Sequence, residues 1–94
     1  MTPDFKFLHF TTIVHGPQQV GKTKNAQRIA DAYSMDGIVD DWHFGMPIER
    51  NKLHLSYVAV SHADCEAMCD FPLRVTNYEV AMEMVKIMEE GITT

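Results

Sequence analysis

The sequence predicts a single α/β domain, a minimal and mostly parallel sheet of about four strands with flanking helices. Apolar, β-branched runs alternate along the chain with stretches whose apolar residues recur at helical spacing. The 94 residues contain no repeat, linker or low-complexity tract, and this length allows one hydrophobic core. We therefore expect residues 1–94 to form one domain.

The first part of the chain predicts a strand, a helix and a second, shorter strand. Residues 5–15 are rich in aromatic and β-branched side chains and stop at Gly16, which is typical of a strand. Residues 22–34 form a predicted helix, and Gly37 is placed to end it. One face of this helix is apolar, with Ala26, Ile29, Ala30 and Tyr33 at helical spacing. The short second strand begins at residues 38–39.

The second part predicts a loop, two strands and two helices. Residues 43–52 contain glycine, proline and asparagine and are expected to form the loop. Residues 53–60 form the third strand, and because both of its faces are apolar it belongs inside the sheet. A short helix over residues 63–70 and a fourth strand over residues 73–76 follow.

The last predicted helix begins with a capping box and ends at Gly91. In the box, Thr76 and Glu79 satisfy each other's exposed backbone donors. The apolar stripe of this helix consists of Ala81, Met84, Val85 and Met88.

The composition is that of a globular protein, with 46% hydrophobic and 22% charged residues. The net charge of -5 argues against broad binding to nucleic acid or to an anionic membrane, because both need a basic surface. No apolar run is long enough to span a membrane, so we expect none. Two cysteines and no basic, apolar leader predict a cytoplasmic protein with free thiols.

One segment carries a specific chemical signal. It matches the phosphate-binding pattern G-x-x-x-x-G-K-[ST], and its residues are Gly16, Pro17, Gln18, Gln19, Val20, Gly21, Lys22 and Thr23. The segment follows the first predicted strand and opens the first predicted helix, which is the context that the pattern needs. In that context the backbone N–H groups of the loop surround an anion, and the helix N-terminus favours negative charge.

The side chains of this segment have separate expected roles. Gly16 lets the chain leave the strand in a conformation that a Cβ would oppose, and Gly21 allows phosphate to approach the backbone. Lys22 supplies a point charge for the outer phosphates, and Thr23 offers a hydroxyl ligand to Mg²⁺. The loop concentrates positive potential locally, so anion binding is compatible with the acidic net charge.

Residues 7–42 resemble the opening strand, phosphate loop, helix and strand of P-loop nucleoside triphosphatases. The resemblance rests on Ile13-Val14-His15-Gly16, on Gly21-Lys22-Thr23 before the helix, and on Ile38-Val39-Asp40-Asp41-Trp42. Together these segments resemble small kinase-like ATP-binding proteins that are often encoded by phages and prophages. The resemblance implies a nucleotide-binding parallel sheet with MgATP as ligand, in the host cytoplasm if a phage encodes the chain.

Asp40 and Asp41 follow the short second strand and should lie at its carboxyl end, where ligands bind in open α/β sheets. One of them is expected to orient Mg²⁺ through water or to accept a proton from an attacking hydroxyl. Because side chains alternate along a strand, one of the pair faces the phosphates, and we favour Asp40, which we assign with Thr23 to the metal. The alternative for the pair is a solvated turn. Trp42 either stacks on a substrate ring or anchors the loop as a buried side chain, and we favour the anchor.

His62, Cys65 and Cys69 follow the third strand with a spacing that invites a metal site. A structural zinc site needs four ligands, and no second half of a zinc signature is present. We therefore expect two core-facing thiols and no zinc. His62 either senses the γ-phosphate or is a surface histidine, and we favour the surface role.

The sequence predicts a protein that binds a purine nucleoside triphosphate, ATP with Mg²⁺. If the protein is an enzyme, we expect slow hydrolysis of the nucleotide or phosphoryl transfer from it. Lys22, Asp40 and Asp41 are the expected catalytic residues. The alternative is a small phage-type regulator or inhibitor that uses the scaffold as a protein-interaction module without turnover.

The alternative rests on departures from the family pattern. The resemblance places an acid on a second core strand and often a lid that carries arginines. This chain has no clear run of four apolar residues followed by Asp, and its only arginines are Arg28, Arg50 and Arg74. An arginine from a protein partner, or from a second copy of the chain in a homodimer, would restore turnover.

Overall fold

The computed structural model describes residues 10–16 and 24–91. Its elements, in chain order, are β1 (Thr11–His15), α1 (Ala26–Ala32), β2 (Gly37–Val39), β3 (Lys52–Ser56), α2 (His62–Glu66), β4 (Leu73–Asn77) and α3 (Tyr78–Gly91). The four strands form one sheet in the order β2-β3-β1-β4, and every neighbouring pair is parallel. The predicted α/β fold, its strand count and its element order are therefore confirmed.

Two apolar clusters cover the two faces of this sheet. Ile13 and Val14 are adjacent in β1 and fully buried, so they point to opposite faces. Val14 belongs to a cluster with side chains of α1 and α3, including Ile29 and Val85. Ile13 belongs to a second cluster, whose buried members also include Trp42, Cys65 and Leu73. The sheet thus has α1 and α3 on one face, and α2 with the segment after β2 on the other.

β1 and β3 are the interior strands, as the sequence predicts for the third strand, but β3 is shorter than expected. It ends at Ser56, whereas the predicted strand continues to Val60. The Ser56 hydroxyl donates to the carbonyl of Val58 at 2.8 Å and accepts from the Val58 N–H at 3.2 Å, which turns the chain out of the sheet. Tyr57 and Val58 are therefore exposed, and the second buried face of β3 is formed by His54 and Ser56.

The first strand is also shorter than predicted within the described residues. β1 begins at Thr11, while Phe10 lies outside the strand. The rest of the predicted segment, residues 5–9, lies outside the described residues.

Helix α1 ends at Ala32, and the residue that ends it is Ser34 rather than the predicted Gly37. Ser34 has a φ of 60°, and the N–H groups of Ser34 and Met35 donate to the carbonyls of Asp31 and Ala30. This pairing is the Schellman arrangement, which terminates a helix through one left-handed residue. Gly37 instead begins β2.

The caps of the other two helices also differ from the sequence expectation. Helix α2 spans His62–Glu66 rather than residues 63–70, and the Ser61 hydroxyl accepts from the N–H of Asp64 at 3.0 Å. Thr76, the predicted cap of α3, is paired with Val14 inside the sheet. The cap is Asn77, whose Oδ1 accepts from the N–H of Val80 at 2.8 Å.

Candidate functional site

The carboxyl ends of all four strands meet at one edge of the sheet, because every pair is parallel. At this edge Gly16, the first residue after β1, donates its N–H to the carbonyl of Ser56 at 3.0 Å and so continues the pairing with β3. From β1 the chain passes to α1 on one face, and from β3 it passes to α2 on the other face. Adjacent strands whose connections leave to opposite faces open a crevice between them, and ligands of open α/β sheets bind in such crevices.

The predicted phosphate loop begins at this crevice. Pro17, Gln18, Gln19, Val20, Gly21, Lys22 and Thr23 lie outside the described residues. Gly16 before them and Lys24 after them are described, so the segment starts at the carboxyl end of β1 and ends just before α1.

Helix α1 begins at Ala26 and not at Lys22 as predicted, because Lys24 and Asn25 form a turn. The Asn25 side chain does not cap the helix. Its amide instead donates to the Tyr78 hydroxyl at 2.8 Å and accepts from Arg28 at 3.0 Å. Asparagine disfavours the helix interior when its side chain finds such alternative partners, which explains the late start.

Asp40 and Asp41 lie at the carboxyl end of β2, on the predicted edge of the sheet. Both are exposed and both belong to a turn. The Asp41 N–H donates to Asp40 Oδ1 at 2.8 Å, and Asp41 has a φ of 58°. β2 is an edge strand, and β3 separates it from β1. With neighbouring strands about 4.8 Å apart, the backbone of β2 lies roughly 10 Å from that of β1, so the two acids are not in direct contact with β1.

The core strand beside β1 carries no acid at its carboxyl end. β3 ends in Ser56, and both hydrogen bonds of that hydroxyl belong to its own turn. This agrees with the lack of a run of four apolar residues followed by Asp in the sequence.

A cleft of about 570 Å³ opens between the segment after β2 and the segment after β3. We call it the β2–β3 cleft, and its lining residues are His43, Phe44, Val58, Ala59, Val60, Ser61 and Asp64. The side chains of Phe44 and Val58 are 50% and 67% exposed. Neither Phe44 nor Val58 is a predicted site residue, because Phe44 lies in a predicted loop and Val58 in a predicted strand.

Trp42 holds one wall of this cleft in place. Its side chain is 1% exposed, and its indole N–H donates to the carbonyl of Pro47 at 3.0 Å. Its backbone N–H donates to the carbonyl of Leu55 at 2.8 Å, which ties the segment after β2 to β3. Trp42 is therefore the buried anchor that the sequence analysis favoured, and its ring does not offer a face to a ligand.

His15 ends β1, and His62 follows β3 at the start of α2. His62 Nε2 lies 3.0 Å from the carbonyl oxygen of Leu73, so the interpretation as a γ-phosphate sensor gains no geometric support. His15 is the last residue of β1, and burial lowers the pKa of its imidazole. The imidazole of His15 is consequently neutral at pH 7.

The thiols are structural within the described chain. Cys65 is fully buried, and burial raises the pKa of its thiol. Cys69 lies beyond the end of α2 and its Sγ contacts the carbonyls of Cys65 and Phe71 at 3.7 Å. Among residues 10–16 and 24–91, no group of three or more His, Cys, Asp or Glu side chains is placed to hold a metal ion.

Within the same residues, no helix has the length and apolar character needed to cross a membrane. Comparisons of the chain with protein-family models, curated proteins and solved structures return no match.

Proposed function

We propose that this protein binds a purine nucleoside triphosphate, ATP with Mg²⁺, at the crevice between the carboxyl ends of β1 and β3. One observation carries the proposal: Gly16, the first residue of the G-x-x-x-x-G-K-[ST] pattern, follows β1 at the edge of the sheet where the connections of β1 and β3 pass to opposite faces. That point is where an open α/β sheet offers room and backbone donors to a ligand.

In the proposed complex each residue of the pattern has one task. Lys22 contacts the outer phosphates, and the Thr23 hydroxyl ligates the Mg²⁺ that accompanies them. The carboxylates of Asp40 and Asp41 are exposed at the same edge of the sheet, and oxygen ligands of this type suit Mg²⁺. One of them holds a metal-bound water or, in a phosphoryl transfer, accepts the proton of the attacking hydroxyl.

Removing the lysine charge tests nucleotide binding. Lys22→Ala should weaken MgATP binding by about tenfold to a hundredfold, because a hydrogen bond to a charged group contributes about 1.5–3 kcal/mol. Calorimetry with a non-hydrolysable ATP analogue measures the affinity. Lys24→Ala is the matched control, since Lys24 is exposed and lies just outside the pattern. Equal affinity in the wild type and in Lys22→Ala would refute the proposal.

The second candidate function is a nucleotide-dependent interaction module without turnover. It is favoured because all three arginines of the chain interact with other side chains of the chain. Arg28 forms a bidentate pair with Glu89, Arg50 stacks on Phe71, and Arg74 stacks on Tyr33. An arginine needed for turnover would have to come from a partner.

Substitution of the acids distinguishes the two candidates. If the protein turns over ATP, Asp40→Asn or Asp41→Asn should lower kcat by about a hundredfold, the scale of a lost acid–base or charge-stabilising group. MgATP affinity should change much less, because the phosphate loop is intact. A release assay for phosphate, run with both variants, measures this. If the wild type shows no turnover, or both variants keep full turnover, the interaction module is the better description.

A further inference from the structure

The β2–β3 cleft has the size and walls of a small-molecule site. Its volume of about 570 Å³ falls within the roughly 300–1,000 Å³ that ligand pockets occupy. Phe44, Val58 and Val60 give it apolar and aromatic surface, and the exposure of Phe44 and Val58 leaves part of that surface open to a ligand. His43, Ser61 and Asp64 add a few polar groups, which is the usual composition of a site that orients a ring-bearing molecule.

The charges around the cleft select what can enter it. Among residues 10–16 and 24–91, no lysine or arginine lines the cleft, and its charged lining group is the carboxylate of Asp64. Asp40 and Asp41 precede the lining residue His43 by only a few positions. Of the described lysines, Lys52 pairs with Glu49 at 3.3 Å at the start of β3, the opposite end of that strand. Within the described part of the chain, a ligand with its own phosphate would meet the carboxylate of Asp64 and no lining cation.

We propose that the β2–β3 cleft binds the phosphoryl acceptor, and that this acceptor is an uncharged nucleoside rather than a nucleoside monophosphate. The inference rests on the proposed function, because the donor is the ATP held at the neighbouring crevice. The base stacks on Phe44 and packs against Val58, and the sugar hydroxyls lie toward the segment after β2. This arrangement uses the exposed aromatic ring and requires no cation.

In the proposed reaction the γ-phosphoryl group passes from ATP to a hydroxyl of the nucleoside, and every bond that forms or breaks involves groups already named. The acceptor hydroxyl oxygen forms a bond to the γ-phosphorus of ATP. The bond between that phosphorus and the β–γ bridging oxygen breaks, and ADP leaves with the electron pair. The hydroxyl proton passes to the carboxylate of Asp40 or Asp41. The products are ADP and a nucleoside monophosphate, which the acidic cleft then releases readily.

The test compares nucleosides with their monophosphates on the full chain. ¹⁵N-labelled protein is titrated with adenosine, guanosine, cytidine and thymidine, and then with each 5′-monophosphate, while amide shifts are followed. At least one nucleoside should give saturable shifts at Phe44, Val58 and Ser61, with an affinity about tenfold or more above that of its monophosphate. Val58→Lys, which adds a cation to the cleft, should reverse this preference.

Val80→Lys is the matched control, because Val80 is an exposed valine on α3, outside the cleft. No saturable nucleoside shifts, tighter binding of the monophosphate by the wild type, or equal effects of the two lysine variants would each overturn the inference. MgATP affinity is measured separately in the wild type and in Lys22→Ala. ATP binding without nucleoside binding refutes only the acceptor site, whereas nucleoside binding without ATP binding refutes the proposed function and the acceptor role with it.

Discussion

His54 is a fully buried titratable residue at the centre of the sheet, and its partners fix its protonation state. Its Nε2 accepts from the N–H of Glu49 at 2.9 Å, and its Nδ1 lies 3.2 Å from the carbonyl oxygen of Thr12. Only the neutral ring with its proton on Nδ1 satisfies both contacts. Burial is the main influence on His54, and it lowers the pKa of the ring below the ordinary value of 6.5.

The lowered pKa of His54 predicts a loss of stability in mild acid. Below about pH 6.5 the unfolded chain takes up the proton first, so the free energy of unfolding should fall as the pH falls. Urea denaturation at about pH 7.5 and about pH 5.5 measures the change. His54→Gln keeps a donor and an acceptor but does not titrate, and it should show a smaller fall between the two pH values.

His43→Gln is the control for this measurement, because His43 is exposed and lies away from the sheet centre. His15, whose pKa is lowered by burial, adds to the fall in the same direction and should account for part of the residual slope in His54→Gln. An unchanged slope in His54→Gln would contradict the assigned role of the buried ring.

At the scale of an element, the junction between β4 and α3 depends on one side chain. Asn77 ends the strand and caps the helix that follows without any intervening loop. Asn77→Ala should lower the free energy of unfolding by about 1 kcal/mol, within the range of about 0.5–2 kcal/mol for lost caps. Thermal or urea denaturation measures it.

Asn77→Asp keeps the acceptor oxygen and should retain the wild-type stability, which separates the cap from other effects of the substitution. Thr76→Ala tests the competing capping box. A larger loss in Thr76→Ala than in Asn77→Ala would mean that the helix begins one residue earlier in solution.

The order and type of the elements could be predicted from the sequence because periodicity and β-branched runs are local signals. The ends of the elements could not be predicted in this way, because they depend on side chains that can form hydrogen bonds with either of two partners. Ser56 could continue β3 or bond Val58, and Asn25 could cap α1 or bond Tyr78; in both cases the tertiary or turn partner is used. The second face of β3 was missed for a similar reason, since His54 and Ser56 are polar residues that are buried with hydrogen-bond partners: Thr12 and Glu49 for His54, and Val58 for Ser56.

The candidate site was predictable only in part. The G-x-x-x-x-G-K-[ST] pattern is a contiguous signal, and the acids after β2 follow from the position of a strand end. The β2–β3 cleft is formed by two segments that the chain separates by more than a dozen residues, and neither contains a pattern of its own. The separation of β2 from β1 by β3 likewise follows from strand order, which the sequence does not encode locally.

For the whole molecule, the two apolar clusters share one thin sheet and should therefore unfold together. Ile29 and Ile13 are fully buried in different clusters, so Ile29→Val and Ile13→Val form a matched pair. Each should lower the free energy of unfolding by about 0.5–1.5 kcal/mol. Fluorescence of Trp42 reports the α2 face, and far-ultraviolet circular dichroism reports mainly α1 and α3.

In each variant, the urea midpoints measured by fluorescence and by circular dichroism should fall by the same amount, as expected for a two-state domain. A shift of the circular dichroism transition alone in Ile29→Val would show instead that the two faces melt separately.

The central position of β1 has a consequence for how the protein is made on the ribosome. Of the described strands β1 is synthesised first, yet it pairs with β3, about forty residues later, and with β4, about sixty residues later. The nascent chain therefore carries an unpaired apolar strand through most of its synthesis, and the sheet closes only once β4 has left the exit tunnel. Contacts this distant in sequence slow folding, and until β3 and β4 are available Ile13 and Val14 have no sheet that can bury them.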